Sequence, residues 1–116
     1  MPRPSRRLEA IRLHRSGTDA PHTRIVLADE IDLVYQEHLD TAFEAVVTAA
    51  PADVTVDLTE VTFLGSVGLN FLVQLHLRVT RAGHRCTVLN PAPIVRRALA
   101  STGLDGLLTI VSDDPA

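Results

Sequence analysis

The 116-residue chain has no lysine: all 11 of its cationic side chains are arginine. That excludes together a Schiff-base lysine, the lysine of a phosphate-binding loop and a serine–lysine dyad. Tryptophan is absent and aromatics make up 3% of the residues, so a core must be assembled from Val, Leu, Ile and Ala. One cysteine, Cys86, cannot form an internal disulfide, which agrees with a reducing compartment. No apolar run approaches the ~20 residues of a membrane-crossing helix. The arginine-rich start, "MPRPSRRLEAIRLHRS", lacks the apolar stretch of a secretory signal. The expectation is a cytoplasmic protein with no membrane insertion. A formal charge of −3 gives no electrostatic footprint for nucleic acid. Five arginines fall in the first 15 residues, and they read as a solvated terminus and the polar face of an edge strand.

The balance of 46% hydrophobic and 22% charged residues is that of a globular chain, long enough for one core. "LEAIRLHRS" alternates weakly at Leu8, Ala10 or Ile11, and Leu13, and "SGTDAPH" reads as a turn through Gly17, Asp19 and Pro21. A better strand follows at Arg24–Ala28, antiparallel to the first. Leu39, Ala42, Phe43, Val46, Val47 and Ala50 form one helical stripe ended by Pro51. "DVTVDL" places Val54, Val56 and Leu58 on one face of a strand and Thr55 and Asp57 on the other. A helix is expected from Ser66 to Arg81 with Gly83 just beyond it. "HRCTVLNP" is a strand closed by Asn90-Pro91, and "PIVRRALASTG" is a short helix starting at Pro93. Its inward face would hold Ile94, Val95, Ala98 and Leu99. "LLTIV" is a last strand and residues 112–116 a tail. Strands alternating with helices predict an α/β fold: one domain over 1–116, with a partly parallel sheet.

Candidate chemistry concentrates on "LGSVGL", starting at Leu64. A nucleophile elbow needs G-x-S-x-G, but Leu64 stands at the first glycine and no histidine follows a late strand. A hydrolase would also lose its background esterase activity in Ser66→Ala. The five histidines, at 14, 22, 38, 76 and 84, never pair at i, i+3 or i+4, so no metal site is expected. His76 and His84 read as surface or strand-edge residues and Cys86 as a small core residue. No acidic pair has spacing suited to acid/base catalysis. No enzyme, and no cofactor, is expected.

Ser66, Asn70, Gln74 and Arg78 recur every four residues and share one helix face. Val67, Leu69, Phe71, Leu72, Val73, Leu75 and Val79 cover most of the remainder. This helix is therefore expected to be buried apart from a narrow polar strip that begins at Ser66. A serine there is a preferred N-cap. It is equally a hydroxyl whose phosphate would suit the positive helix end. Both readings are open on spacing alone, and they are compatible. Gly65 and Gly68 would permit a tight turn.

"VTVDLTEVTFLGSVGLNFLVQLHLRV" resembles the central segment of STAS domains of the anti-sigma factor antagonist family: a strand ending in Asp, a short loop with an aromatic, then D-S-[SA]-G-[LI] opening a helix. "DEIDLVYQEHLDTAF" is similar to the family's G-E-[LIV]-D segment and its helix. "GHRCTVLNPAPIVRRALASTGLDGLLTIV" resembles the following strand, N-P turn, short helix and ending. The likeness runs from about Leu8 to Val111.

The resemblance implies a mixed sheet flanked by helices and a non-catalytic binding module. Its partner would be an anti-sigma factor that is also a serine kinase, and a serine phosphatase would reset it. It implies phosphorylation at Ser66 and a partner-binding surface including Asp32, Asp57, Gly65, Ser66, Val67, Gly68, Asn70 and Gln74. Asp32, Asp57 and Ser66 would fall at or beyond carboxyl ends of strands. The alternative is the same fold as an accessory subunit of a membrane lipid transporter, docked on its ATPase without phosphorylation. Two positions depart from the pattern: Gly65 replaces the Asp before the serine, and Asp29 replaces the glycine of G-E-[LIV]-D. On this reading Gly65→Asp would raise phosphorylation by a cognate kinase.

Overall fold

The computed structural model describes residues 11–17 and 21–112. Within them lie β1 (Ile11–Ser16), β2 (His22–Ile31), a single 3₁₀ turn (Leu33–Tyr35), α1 (Gln36–Thr48) and β3 (Asp53–Leu64). Then come α2 (Ser66–Arg81), β4 (Cys86–Leu89), α3 (Pro93–Ser101), a second 3₁₀ turn (Leu104–Gly106) and β5 (Thr109–Val111). The sheet order is β1-β2-β3-β4-β5. β1 is antiparallel to β2, and the other three pairings are parallel. The α/β fold with a mixed sheet expected from the alternating elements is thus the one formed.

Each parallel step moves one strand further in the same direction, and right-handed crossovers then put every connecting helix on the same face. Inward side chains of the strands (Ile25, Leu27, Val54, Val56, Val88) meet Leu39, Phe71, Leu72, Leu75, Val79, Val95 and Leu99 of the helices in one core. The aliphatic composition is sufficient because these residues interdigitate in a two-layer sandwich. On the alternate positions the register aligns His14, Arg24, Thr55, Thr87 and Thr109 in a polar row across the sheet.

Several elements differ from their sequence expectation. Of the first strand, Ile11–Ser16 is described, and the Leu8 and Ala10 positions, like Asp19 and the last four residues, lie outside the described residues. β2 and β3 run longer than Arg24–Ala28 and "DVTVDL", because their parallel pairing continues through register shifts between Val26 and Ala28 and between Asp29 and Glu30. These shifts break the period-2 polarity by which a strand is recognised. Asp29, which stands where the resembled pattern has glycine, has φ +65, a left-handed conformation that aspartate tolerates better than most residues. α1 begins three residues before Leu39, on the 3₁₀ turn, and stops before Ala50. α2 spans Ser66–Arg81 as expected, and Gly83 follows it at φ +85. In α3, Val95 and Leu99 are buried as expected, but Ile94 is 57% exposed: it lies on the outer side of a two-turn helix whose buried stripe is narrow.

Candidate functional site at the start of α2

Burial dictates how α2 is held. Phe71, Leu72, Leu75 and Val79 enter the core, while Ser66, Asn70, Gln74 and Arg78 are exposed. The polar strip expected from the spacing of four is therefore on the surface. Ser66 is not the cap, however. Gly65 occupies the N-cap position in extended backbone and makes no side-chain cap bond, and Ser66 is the first helical residue. Its hydroxyl forms no hydrogen bond among the described residues. A hydroxyl without a structural partner, on the positive end of a 16-residue helix, is accessible to chemistry.

The turn before Ser66 is tight. Gly65 N–H donates to Ile31 C=O at 2.8 Å, joining the ends of β2 and β3. A Cβ on Gly65 would lie 2.7 Å from Asp32 Oδ1 and 3.2 Å from Phe63 Cε2. Asp32 Oδ1 in turn accepts the Leu33 N–H at 2.8 Å, capping the 3₁₀ turn. Asp32 and the Gly65–Ser66 turn are thus brought together. Gly65→Asp must therefore displace the Asp32 carboxylate, so restoring the family residue is not a local change.

Asp57 is placed elsewhere. It lies within β3, seven residues before the strand's end at Leu64, roughly 20 Å of strand away. Its carboxylate pairs with Arg24 and accepts from the Thr59 N–H and hydroxyl; none of these bonds reaches the serine turn. The resemblance put Asp57 at the carboxyl end of a strand, but β3 continues past it to Leu64. Burial alone would push its carboxyl up, but the Thr59 donors and the Arg24 guanidinium outweigh this and hold it below the ordinary 3.8. A carboxylate with a lowered folded-state pKa contributes stability above the unfolded value, lost as the pH falls through and below it. Asp57→Asn should thus cost about 1 kcal/mol at pH 7, Arg24 being half exposed. The gap from the wild type should narrow by pH 3. Urea unfolding at both pH values checks this; an equal gap at both would mean the charge is not responsible.

Along α2, Val67, Asn70 and Gln74 line one side of a groove of about 220 Å³ whose other side is Gln36 and Asp40 of α1. Leu39, Phe43 and Phe71 supply its apolar floor. Gly68 is buried, with its Cα face against Leu64 and Ile31; it sets the helix position rather than offering a contact.

Sequence reasoning missed three exposed apolar side chains: Phe63, just before the serine turn, and Leu33 and Val34 on the 3₁₀ turn capped by Asp32. Leu33 is 69% exposed, Val34 55% and Phe63 43%. A signal for this surface was present: from Ile25 to Leu77 there is no arginine, whereas nine of the 14 acidic residues lie there. Glu30, Asp32, Glu37, Asp40 and Glu60 are exposed. Exposed apolar side chains in an acidic, cation-free segment suit a partner with apolar and basic groups.

At the other end of the strands, Asp53 accepts the Arg85 N–H at 3.0 Å and contacts His84 Nδ1 at 3.2 Å. Burial pushes the neighbouring Cys86 thiol up to about 12, so it stays protonated, as expected of a core cysteine. No group of three or more His, Cys, Asp or Glu among the described residues is arranged to hold a metal ion. No helix among them is long and apolar enough to cross a membrane.

A family model described as "Mlab, STAS domain" matches residues 14–110, and the chain belongs to the STAS domain family. It is similar to the anti-sigma-F factor antagonist RsfB of Mycobacterium tuberculosis, with 31% identity over 86 residues covering 74% of this chain and 70% of that protein. An anti-sigma factor antagonist from Mycobacterium paratuberculosis matches with a TM-score of 0.74 at 30% identity, over 93% of this chain and 88% of that one. SpoIIAA in its unphosphorylated form shares the fold, with a TM-score of 0.73 at 21% identity over 90% of each chain.

Proposed function

We propose that this protein is an anti-sigma factor antagonist: a non-catalytic module that binds an anti-sigma factor through the surface around the start of α2 and is released by phosphorylation of Ser66. The observation that carries this reading is the unbonded, exposed Ser66 hydroxyl next to Gly65, which approaches both exposed Phe63 and Asp32, the cap of the turn bearing exposed Leu33 and Val34. The two similar mycobacterial proteins are named anti-sigma factor antagonists, which supports it. The partner is an anti-sigma factor with serine kinase activity, and a serine phosphatase restores the binding form in the cytoplasm. Asp32, Gly65, Val67, Asn70 and Gln74 frame the contact surface. Gly68 acts on it from behind, through helix placement, whereas Asp57 lies back along β3, tied to Arg24 and Thr59.

The physical effect of phosphorylation follows from charge. A phosphate adds about −1.5 to −2 to a surface that is already acidic, inside what would be a packed contact. Each 1.4 kcal/mol lost is about a tenfold change in affinity.

A pull-down from the source organism's lysate tests this with wild type, Ser66→Glu and Leu33→Asp. The expected result is an anti-sigma factor of serine-kinase type retained by wild type, with affinity at least tenfold lower for each variant. A transport ATPase held equally by wild type and Ser66→Glu would replace this reading with that of a lipid-transporter accessory subunit, to which Gly65 is no obstacle.

A further inference from the structure

Three facts about one carboxylate stand together. Asp32 Oδ1 lies 2.7 Å from where a Gly65 Cβ would be. Gly65 is the N-cap of α2, whose first turn contains no acidic residue. The same Oδ1 accepts the Leu33 N–H and so caps the 3₁₀ turn bearing exposed Leu33 and Val34. Asp32 therefore belongs to two structures at once. It supplies, from the end of β2, the negative charge that α2 lacks at its own N-terminus, and it pins the turn carrying two of the most prominent apolar side chains.

We propose that Asp32 relays the state of Ser66 to the Leu33–Tyr35 turn. The proposal rests on Ser66 being the modified residue and adds how its modification is read. A phosphate on Ser66, one residue from Gly65, competes with the Asp32 carboxylate for the positive end of α2 and repels it. The phosphate is covalently tethered and carries the larger charge. Asp32 is exposed and free to rotate outward. As it does so, Leu33 N–H loses its acceptor, the turn opens, and Leu33 and Val34 leave their docking geometry. Modification then reshapes the apolar surface in addition to repelling the partner. Gly65 is what makes the relay possible, since any side chain there takes the space the carboxylate occupies.

The test uses the isolated protein and needs no partner, so failure to capture an anti-sigma factor and failure of the relay are separate results. Backbone amide NMR spectra are recorded for wild type and Asp32→Asn, each with Ser and with Ser66→Glu, together with Gly65→Ala. Asn retains a capping acceptor without the charge. In the wild-type background Ser66→Glu should shift the Leu33, Val34 and Tyr35 amides and lower Tm. In Asp32→Asn it should leave those amides in place and leave Tm unchanged or raised, since the new carboxylate then meets an unoccupied helix end. Gly65→Ala should shift the same three amides in the absence of any added charge. Site-specifically incorporated phosphoserine at 66 repeats the comparison with the full dianion. Equal shifts in both backgrounds, or shifts in neither with phosphoserine, would overturn the relay, as would unmoved Leu33 and Val34 amides in Gly65→Ala.

Discussion

Gly68→Val should lower the unfolding free energy by about 3 kcal/mol or more, the upper part of the range for overpacking a filled core. A Cβ at this position would lie 2.4 Å from Leu64 Cδ1, 3.0 Å from Leu64 Cγ and 3.1 Å from Ile31 Cγ2. Both neighbours are themselves buried, at 4% and 0% exposure, so neither can swing into solvent to make room. Helix propensity acts in the opposite direction: replacing glycine by alanine inside a helix ordinarily gains up to about 1 kcal/mol. At this site the steric term should win. Gly68→Ala is expected to be destabilising by about 1 kcal/mol, and valine, with two further carbons and a restricted rotamer, by much more. Against a typical total of about 5–15 kcal/mol, the valine variant would be substantially unfolded at moderate temperature. Urea denaturation of both variants settles it. A Gly68→Ala protein more stable than wild type would show that α2 can back away from the ends of β2 and β3, and that the serine turn is not held by this close approach.

The second large effect contrasts two leucines. Leu75→Ala should cost about 3 kcal/mol, because Leu75 is fully buried at the centre of α2, between sheet and helices, and its removal leaves a cavity the surroundings cannot close. Leu33→Ala should change stability by less than about 0.5 kcal/mol, since the side chain is mostly in water. The same variant should nonetheless weaken partner binding. Chemical denaturation separates the pair. A Leu33→Ala protein destabilised as much as Leu75→Ala would mean Leu33 belongs to the core, and the apolar docking surface around Ser66 would lose its centre.

How much of this was legible beforehand varies by element. α2 was recovered end to end, since its apolar and polar positions keep helical period for 16 residues and Gly83 stops it. The Cys86 strand and α3 were legible for similar local reasons: an apolar run before Asn90-Pro91, then Pro93 at a helix start. β2 and β3 were underestimated, because bulges and a parallel partner sustain pairing where the local pattern turns polar. The site was partly legible. Ser66 and its strip follow from spacing; of the two readings left open for the serine, the structure gives the cap position to Gly65, whose N–H bonds to Ile31 C=O. Asp57 was grouped with the site through the family resemblance, yet its hydrogen bonds tie it to Arg24 and Thr59.

The sequence by itself determined the α/β order, the aliphatic core, the exposed strip on α2 and the absence of lysine chemistry. These depend on periodicity and composition, which local residues carry alone. Only the tertiary structure decided that Asp32 fills the space Gly65 leaves open, that Leu33, Val34 and Phe63 stand exposed, and that Gly68 is a packing contact. The approaches of Asp32 to Gly65 and of Ile31 to Gly68 join residues far apart in the chain. They arise when parallel pairing brings the ends of β2 and β3 side by side, a long-range arrangement no local pattern encodes.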